Sequence, residues 1–137
     1  FLHALGYLAE DAMETGDDKA ALALFDQYLQ RSPQHSWAMG KKARVEGVLV
    51  CEMDAKGSLA ELNTLSARQY VPSTALALVY TGLGDKAQAL EWLGRAVDEH
   101  DFSLVFLDVA PWFESLRSEP GYEPLRRKLQ LPDRSAR

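Results

Sequence analysis

The chain has 137 residues, of which 47% are hydrophobic and 26% charged, and its net charge is −5. The length and composition fit one globular domain. The acidic balance argues against a nucleic-acid-binding surface, because such surfaces usually carry clustered Lys and Arg. No apolar run approaches the roughly 20 residues that a membrane-spanning helix requires, so we expect neither a nucleic-acid nor a membrane partner. The single cysteine, Cys51, excludes an internal disulfide and suits a reducing compartment, so we expect a cytoplasmic protein.

The first predicted element is a helical hairpin over about residues 2–35. Its first helix has apolar residues at the spacing i, i+3, i+4, i+7, namely Leu5, Leu8, Ala9 and Ala12. We expect Gly16 to end that helix with a positive φ, and Asp17 to cap the next one. Pro33 closes the hairpin, because proline cannot continue a helix. The apolar pattern already includes Phe1, so we expect the chain to be a piece of a longer protein.

The glycine-aspartate break of this hairpin recurs. Gly16-Asp17 and Gly84-Asp85 lie 68 residues apart, which places a middle copy 34 residues from each. Three sets of residues align at that offset: Ala9, Ala43 and Ala77; Ala21, Ala55 and Ala89; Phe25, Leu59 and Leu93. A small residue lets two crossing helices approach, and a large one fills the space beside them. The sequence therefore predicts three stacked hairpins, over about residues 2–35, 36–69 and 70–103.

The middle hairpin is the least regular copy, because Val50 and Cys51 stand where the others have Gly-Asp. We predict a first helix over about residues 36–51 and a turn at residues 53–56, with Asp54 or Ser58 as the cap. Cys51 is interpreted as a small buried hydrophobic residue.

Two glycines, Gly40 and Gly47, lie inside the first helix of this copy. Each costs about 1 kcal/mol of helix stability relative to alanine. We therefore expect the first helix of the middle hairpin to be less stable than the corresponding helices of the other two hairpins.

The third hairpin, over residues 74–98, has the clearest pattern, since two short apolar helical patterns flank Gly82-Leu83-Gly84-Asp85. Pro72 suits the first turn of its first helix. Residues 102–107 are interpreted as an extended linker, with a strand or loop as the alternatives. Residues 111–131 are predicted to form short helices that cap the last hairpin, and residues 132–137 a frayed tail.

Seven residues of the third hairpin follow a known pattern of Leu, Gly or Ala, Tyr, Gly, Ala, Phe or Tyr, and Ala. They are Leu76, Ala77, Tyr80, Gly84, Ala89, Leu93 and Ala96. On these residues the chain resembles the tetratricopeptide repeat family, whose unit is about 34 residues long. The resemblance implies an all-α fold: a right-handed α-α superhelix of three hairpins with short C-terminal capping helices. It also implies a regulatory or protein-binding module.

A second resemblance covers residues 70–132. It depends on Tyr70-Val71, Ala77-Leu78, Tyr80, Gly82-Leu83-Gly84-Asp85, Ala89-Leu90-Glu91-Trp92-Leu93, Pro111, Phe113, Leu116-Arg117-Ser118, Pro120, Leu125 and Leu131-Pro132. These residues resemble a C-terminal arrangement of bacterial multidomain signalling proteins, in which such repeats follow a winged-helix, kinase or cyclase domain.

Signs of catalysis or cofactor binding are weak. The acidic and histidine run at residues 98–101 cannot converge on one metal ion, because adjacent helical residues point about 100° apart. Gly82-Leu83-Gly84 lacks the Lys-Ser/Thr of a phosphate loop. Arg126-Arg127-Lys128 is interpreted as a basic last helical turn that complements the helix dipole, with nucleic-acid contact as the alternative. We expect a protein that is not an enzyme, with no catalytic residue, metal or cofactor.

In stacked hairpins, the first helix of each hairpin lines the concave side. The candidate groove residues are Glu10, Met13, Trp37, Lys41, Arg44, Val48, Leu78 and Thr81. The resembled family's carboxylate clamp of Lys, Asn and Arg is absent, because its places hold Gly6, Glu10, Lys41, Val71 and Ala75. Our hypothesis is that Trp37, Lys41 and Arg44 anchor a partner segment. In the alternative, Trp37 packs against the first hairpin and the two cations are solvated.

The sequence thus predicts a non-catalytic module that binds a protein or peptide partner in its concave groove. One alternative is a small-ligand-binding or enzymatic helical domain, which a deep pocket between Glu10, Arg44 and Thr81 would favour. Another is self-association into a homodimer through exposed apolar residues of the first helix, such as Leu2 and Leu5.

Overall fold

The computed structural model describes residues 1–49 and 52–131, with only the backbone of Glu52. Over these residues the chain is all-helical. The α-helices are α1 (Leu2–Glu14), α2 (Asp18–Arg31), α3 (Ser36–Val48), α4 (Glu52–Ser66), α5 (Ser73–Gly82), α6 (Lys86–Asp98) and α7 (Tyr122–Lys128). Two 3-10 helices, Phe102–Phe106 and Pro111–Leu116, lie between α6 and α7. None of the helices in the described ranges is long and apolar enough to cross a membrane.

The first six helices pack as three hairpins: α1 with α2, α3 with α4, and α5 with α6. Helix α3 connects the hairpins, because it also packs against α2 and α5. All six alanines of the two aligned sets are completely buried, namely Ala9, Ala43, Ala77, Ala21, Ala55 and Ala89. The small residues therefore lie in the interior, as the spacing predicted.

The first and third turns have the same construction, which confirms the prediction from the glycine-aspartate breaks. Gly16 and Gly84 have φ values of 81° and 76°, a region that favours glycine. The carboxylate of Asp17 accepts a hydrogen bond from the backbone N–H of Ala20 at 3.1 Å. Asp85 caps α6 through an equivalent contact at 3.1 Å.

The predicted middle turn was wrong. Helix α3 ends at Val48 and α4 begins at Glu52, so residues 53–56 belong to α4. Ala55 is completely buried there, and its packing overrides the turn-like composition around it. Ser58 is not a cap, since its hydroxyl donates to Glu46 Oε2 at 3.0 Å. Val50, Cys51 and residues 132–137, including the predicted buried cysteine and frayed tail, lie outside the described residues.

Gly40 and Gly47 have a packing role that the sequence did not reveal. A Cβ at Gly40 would lie 2.6 Å from the carbonyl oxygen of Ala75 on α5. A Cβ at Gly47 would lie 2.2 Å from the carbonyl carbon and oxygen of Gly82. Real Cβ atoms do not approach backbone so closely, so α3 and α5 can touch only because these residues are glycine.

Helix α1 has a narrower buried face than predicted. Leu5 and Ala9 are buried, but Leu8 is 55% exposed. Leu5 is therefore not available for the self-association that its position suggested, whereas the side chains of Tyr7 and Leu8 are exposed to solvent.

The segment at residues 102–107 was predicted as an extended linker, and this was wrong. Asp101 caps a 3-10 helix there by accepting a hydrogen bond from the backbone N–H of Ser103 at 3.0 Å. Leu104 and Leu107 are buried three residues apart, which matches the repeat of a 3-10 helix. The predicted short helices within residues 111–131 are present: the second 3-10 helix packs on α5, and α7 packs on α6.

Candidate functional site

The predicted groove residues come from three helices. Glu10 and Met13 lie on α1, Trp37, Lys41, Arg44 and Val48 on α3, and Leu78 and Thr81 on α5. In the structure the chain's own residues 106–112, here called the C-terminal segment, border the α3 part of this surface, and Trp112 contacts it directly.

Trp112 is the residue of the C-terminal segment that meets α3 most closely. Its ring packs edge-on against Trp37, with the ring centroids 5.4 Å apart and the planes at 73°. Its carbonyl oxygen accepts a hydrogen bond from Arg44 Nε at 2.9 Å. The sequence predicts Trp112 as part of the short helices that cap the last hairpin, and it gives no indication that this residue lies on the groove. No local signal joins residues that are 68 positions apart, as Arg44 and Trp112 are.

Lys41 is the centre of this cluster. Its side chain is 1% exposed, and Nζ lies 3.9 Å from the ring centroid of Trp112 and 4.7 Å from that of Trp37. Nζ also lies 2.5 Å from Glu10 Oε1, a close ion pair without the geometry of a directed hydrogen bond. Burial lowers the pKa of Lys41, and the carboxylates of Glu10 and Glu14 oppose that shift. The ammonium is thus held by two rings and a carboxylate instead of by water.

Arg44 is also held by a contact within the chain, its hydrogen bond to Trp112. Burial lowers its pKa, although the charge of Asp18 acts in the opposite direction. Trp37 borders Phe25 and Tyr28 of α2 around a small cavity of about 50 Å³, so it packs on the first hairpin as well as on Trp112. Neither Lys41 nor Arg44 is the solvated side chain that the alternative interpretation described.

The remaining predicted groove residues do not converge on Lys41. Met13 and Leu78 are buried in the core. The hydroxyl of Thr81 donates to the carbonyl oxygen of Ala77 in its own helix at 2.7 Å. Val48 is exposed at the end of α3. Of the eight predicted residues, Glu10, Trp37 and Lys41 line one cleft together.

That cleft is open, with a volume of about 350 Å³. Its lining is Glu10, Glu14, Trp37, Lys41, Phe106, Val109, Ala110, Pro111 and Trp112, and we call it the α1 cleft. Glu14, Phe106 and Val109 are exposed, and Glu10 is 32% exposed. Sequence reasoning missed these three exposed residues, because two of them belong to the C-terminal segment. Arg44 and Thr81 do not line the α1 cleft, so it is not the pocket that the small-ligand alternative required.

Polar contacts fix the C-terminal segment from its other side. Arg126 pairs with Asp108, with Nε and Oδ2 2.7 Å apart and both side chains buried. The hydrogen bond to Asp108 raises the pKa of Arg126. The hydroxyl of Tyr122 donates to the carbonyl oxygen of Leu107 at 2.9 Å. Arg117 donates to the carbonyl oxygens of Asp108 and Ala110, each at 2.9 Å. The C-terminal segment is therefore held by contacts with α3 on one side and with α7 on the other.

The acidic and histidine run at residues 98–101 begins at the last residue of α6 and continues to the N-cap of the first 3-10 helix. Glu99 accepts hydrogen bonds from Ser73 Oγ, and Asp101 accepts one from Thr74 Oγ1. These contacts tie the end of α6 to the start of α5. Within residues 1–49 and 52–131, no group of three or more His, Cys, Asp and Glu side chains could hold a metal ion.

The chain was compared with protein-family models, with curated proteins and with solved structures, and none of them gives a significant match. Functional inference therefore depends on the α1 cleft and on the residues that surround it.

Proposed function

We propose that the chain is a non-catalytic, partner-binding module made of three tetratricopeptide-like hairpins in a right-handed superhelix. The two matching glycine-aspartate turns and the six buried alanines support this arrangement. By the resemblance stated above, it serves a regulatory role in a longer bacterial signalling protein. A cytoplasmic location suits its single cysteine.

The observation that carries the proposal is that three of the eight candidate groove residues contact a residue from a distant part of the chain, Trp112. Trp37, Lys41 and Arg44 contact Trp112 of the C-terminal segment by its ring and by its backbone carbonyl. Ring packing and carbonyl hydrogen bonds are the contacts that a groove uses to bind a peptide.

A partner segment binds beside the C-terminal segment and does not replace it. Trp112 belongs to the 3-10 helix Pro111–Leu116, in which Phe113 and Leu116 are also buried, so displacing Trp112 unpacks all three side chains. Exposing three large apolar side chains costs roughly 5–9 kcal/mol, which is comparable with the whole stability of a typical domain. The α1 cleft is therefore the part of the groove that remains for a partner. Its volume of about 350 Å³ has room for a few side chains of a peptide.

The test is to select peptides from a phage-displayed library of random dodecapeptides against the full chain. Peptides that bind are then measured by fluorescence polarisation against two variants, Val109→Lys and Val105→Lys. Both valines are exposed, at 61% and 66%, but only Val109 lines the α1 cleft. We expect Val109→Lys to weaken binding at least tenfold and Val105→Lys to leave it unchanged.

Equal urea midpoints for the two variants would establish that both are folded. Peptides that bind Val109→Lys as tightly as the original chain would contradict the proposal, because they bind elsewhere.

A further inference from the structure

The α1 cleft has a charge pattern that indicates the kind of segment it fits. Building on the proposed function, we infer that the cleft binds a partner polypeptide through an Arg or Lys side chain. The cation lies beside Glu10 and Glu14, and a neighbouring apolar side chain of the partner contacts Phe106 and Val109.

The first support is an uncompensated negative charge at the opening. Glu10 and Glu14 line the cleft with one cation, Lys41. Lys41 is buried and already paired with Glu10. Among the described residues Glu14 forms no ion pair, and its side chain is exposed. One carboxylate thus remains for a cation that comes from outside the chain.

The second support is the aromatic wall. Phe106 packs on Trp112 with the ring centroids 5.7 Å apart, and Phe106 is 42% exposed. A guanidinium group is weakly hydrated and stacks on aromatic faces, so arginine suits this wall better than lysine. The exposed side chain of Val109 extends the apolar surface on the same side of the cleft.

The same pattern disfavours an acidic partner. A carboxylate in the cleft would meet Glu14, and the one cation that lines the cleft is 1% exposed. The chain as a whole carries a net charge of −5, which adds long-range repulsion. Charge complementarity therefore selects a basic segment over an acidic one.

The experiment uses the dodecapeptides selected against the full chain, together with synthetic versions in which each Arg or Lys is replaced by Gln. We expect Arg and Lys to be enriched among the selected peptides, and one Gln replacement to weaken binding by about two- to fivefold, which is the upper part of the range for a single exposed ion pair. Glu14→Gln should weaken binding of the original peptides by the same factor and leave binding of that Gln version unchanged. Glu61→Gln, an exposed acid on α4, is the matched control.

The outcomes separate this inference from the function on which it depends. Peptides that lose affinity with Val109→Lys but not with Glu14→Gln or with Arg-to-Gln replacement would overturn the charge inference alone. Peptides whose affinity Val109→Lys leaves unchanged would overturn both. Light scattering at two protein concentrations tests for a second copy of the chain in the cleft. A dimer that Val109→Lys dissociates would likewise overturn the inference.

Discussion

Replacing Gly47 by alanine tests whether α3 and α5 depend on direct backbone contact. The added Cβ would lie 2.2 Å from the carbonyl carbon and oxygen of Gly82 and 2.8 Å from its Cα. All three atoms are backbone, so no side-chain rotation can relieve the overlap. The two helices must therefore move apart by about 1 Å to reach an ordinary contact distance.

Two effects of opposite sign decide the result. Alanine is the better helix former, which favours the variant by about 1 kcal/mol. Forcing a methyl group into a packed interface costs typically 1–3 kcal/mol and occasionally more. Here the overlap is with backbone, and the separation also loosens Gly40 against Ala75, so the upper part of that range or beyond applies. We expect a net loss of about 2 kcal/mol in the free energy of unfolding.

The assay is urea denaturation followed by circular dichroism, with Gly57→Ala as the matched control. Gly57 lies inside α4 and a Cβ there would meet nothing within 4 Å, so this variant should gain about 0.5–1 kcal/mol. With a denaturant slope of about 1.5 kcal/mol/M, Gly47→Ala should lower the urea midpoint by about 1.3 M. A Gly47→Ala variant as stable as Gly57→Ala would refute the proposed helix contact.

Three further predictions concern capping and charge. His35 caps α3 by accepting a hydrogen bond from a backbone N–H at 3.2 Å, and burial lowers its pKa. Its stabilisation should therefore be complete above the unfolded-state pKa of about 6.5 and be lost as the pH falls below it. His35→Asn should flatten that loss in urea titrations between pH 7 and 5. Asp17→Ala and Asp85→Ala should each cost about 1 kcal/mol; no shift of the urea midpoint in either variant would contradict its cap. At pH 7, Glu10→Gln should lower the free energy of unfolding by about 1–3 kcal/mol more than Lys41→Met does, because it leaves a buried ammonium without its carboxylate. The opposite order of the two variants would contradict the ion pair.

The parts of the fold that could be predicted are those that local chemistry or regular spacing determines. A glycine followed by aspartate specifies a positive φ and then a cap, so the turns at Gly16 and Gly84 could be predicted from adjacent residues. The alanine sets could be predicted because one spacing repeats three times. These features need no knowledge of which distant helix covers them.

The middle turn could not be predicted in the same way. Asp54 and Ser58 are candidate caps when they are considered in isolation, but both lie within α4, where Ala55 is completely buried. Tertiary packing there outweighs the local preference. The 34-residue spacing alone aligns Val50 and Cys51 with the turns of the other two hairpins. This position is close to the end of α3 at Val48.

The candidate site was predicted only in part, for the same reason. Trp37, Lys41 and Arg44 all contact Trp112 from α3, and their spacing of four and three residues groups them by helical periodicity alone. The residue that covers them, Trp112, comes from the other end of the chain. The sequence indicates which residues share this face of α3, but not that Trp112 covers it. Trp112 in turn determines which side chains remain exposed to a partner.

The C-terminal segment is part of the groove wall and is not displaced by a partner, because displacing it would cost most of the binding free energy. A partner with micromolar affinity supplies about 8 kcal/mol of binding free energy. If it first had to expose Trp112, Phe113 and Leu116, at roughly 5–9 kcal/mol, little or none of that free energy would remain. Observed binding would then be millimolar or weaker. The ion pair of Arg126 with Asp108 would also have to open, which adds to the cost. A partner that binds in the α1 cleft avoids this loss, because Glu14, Phe106 and Val109 are already exposed.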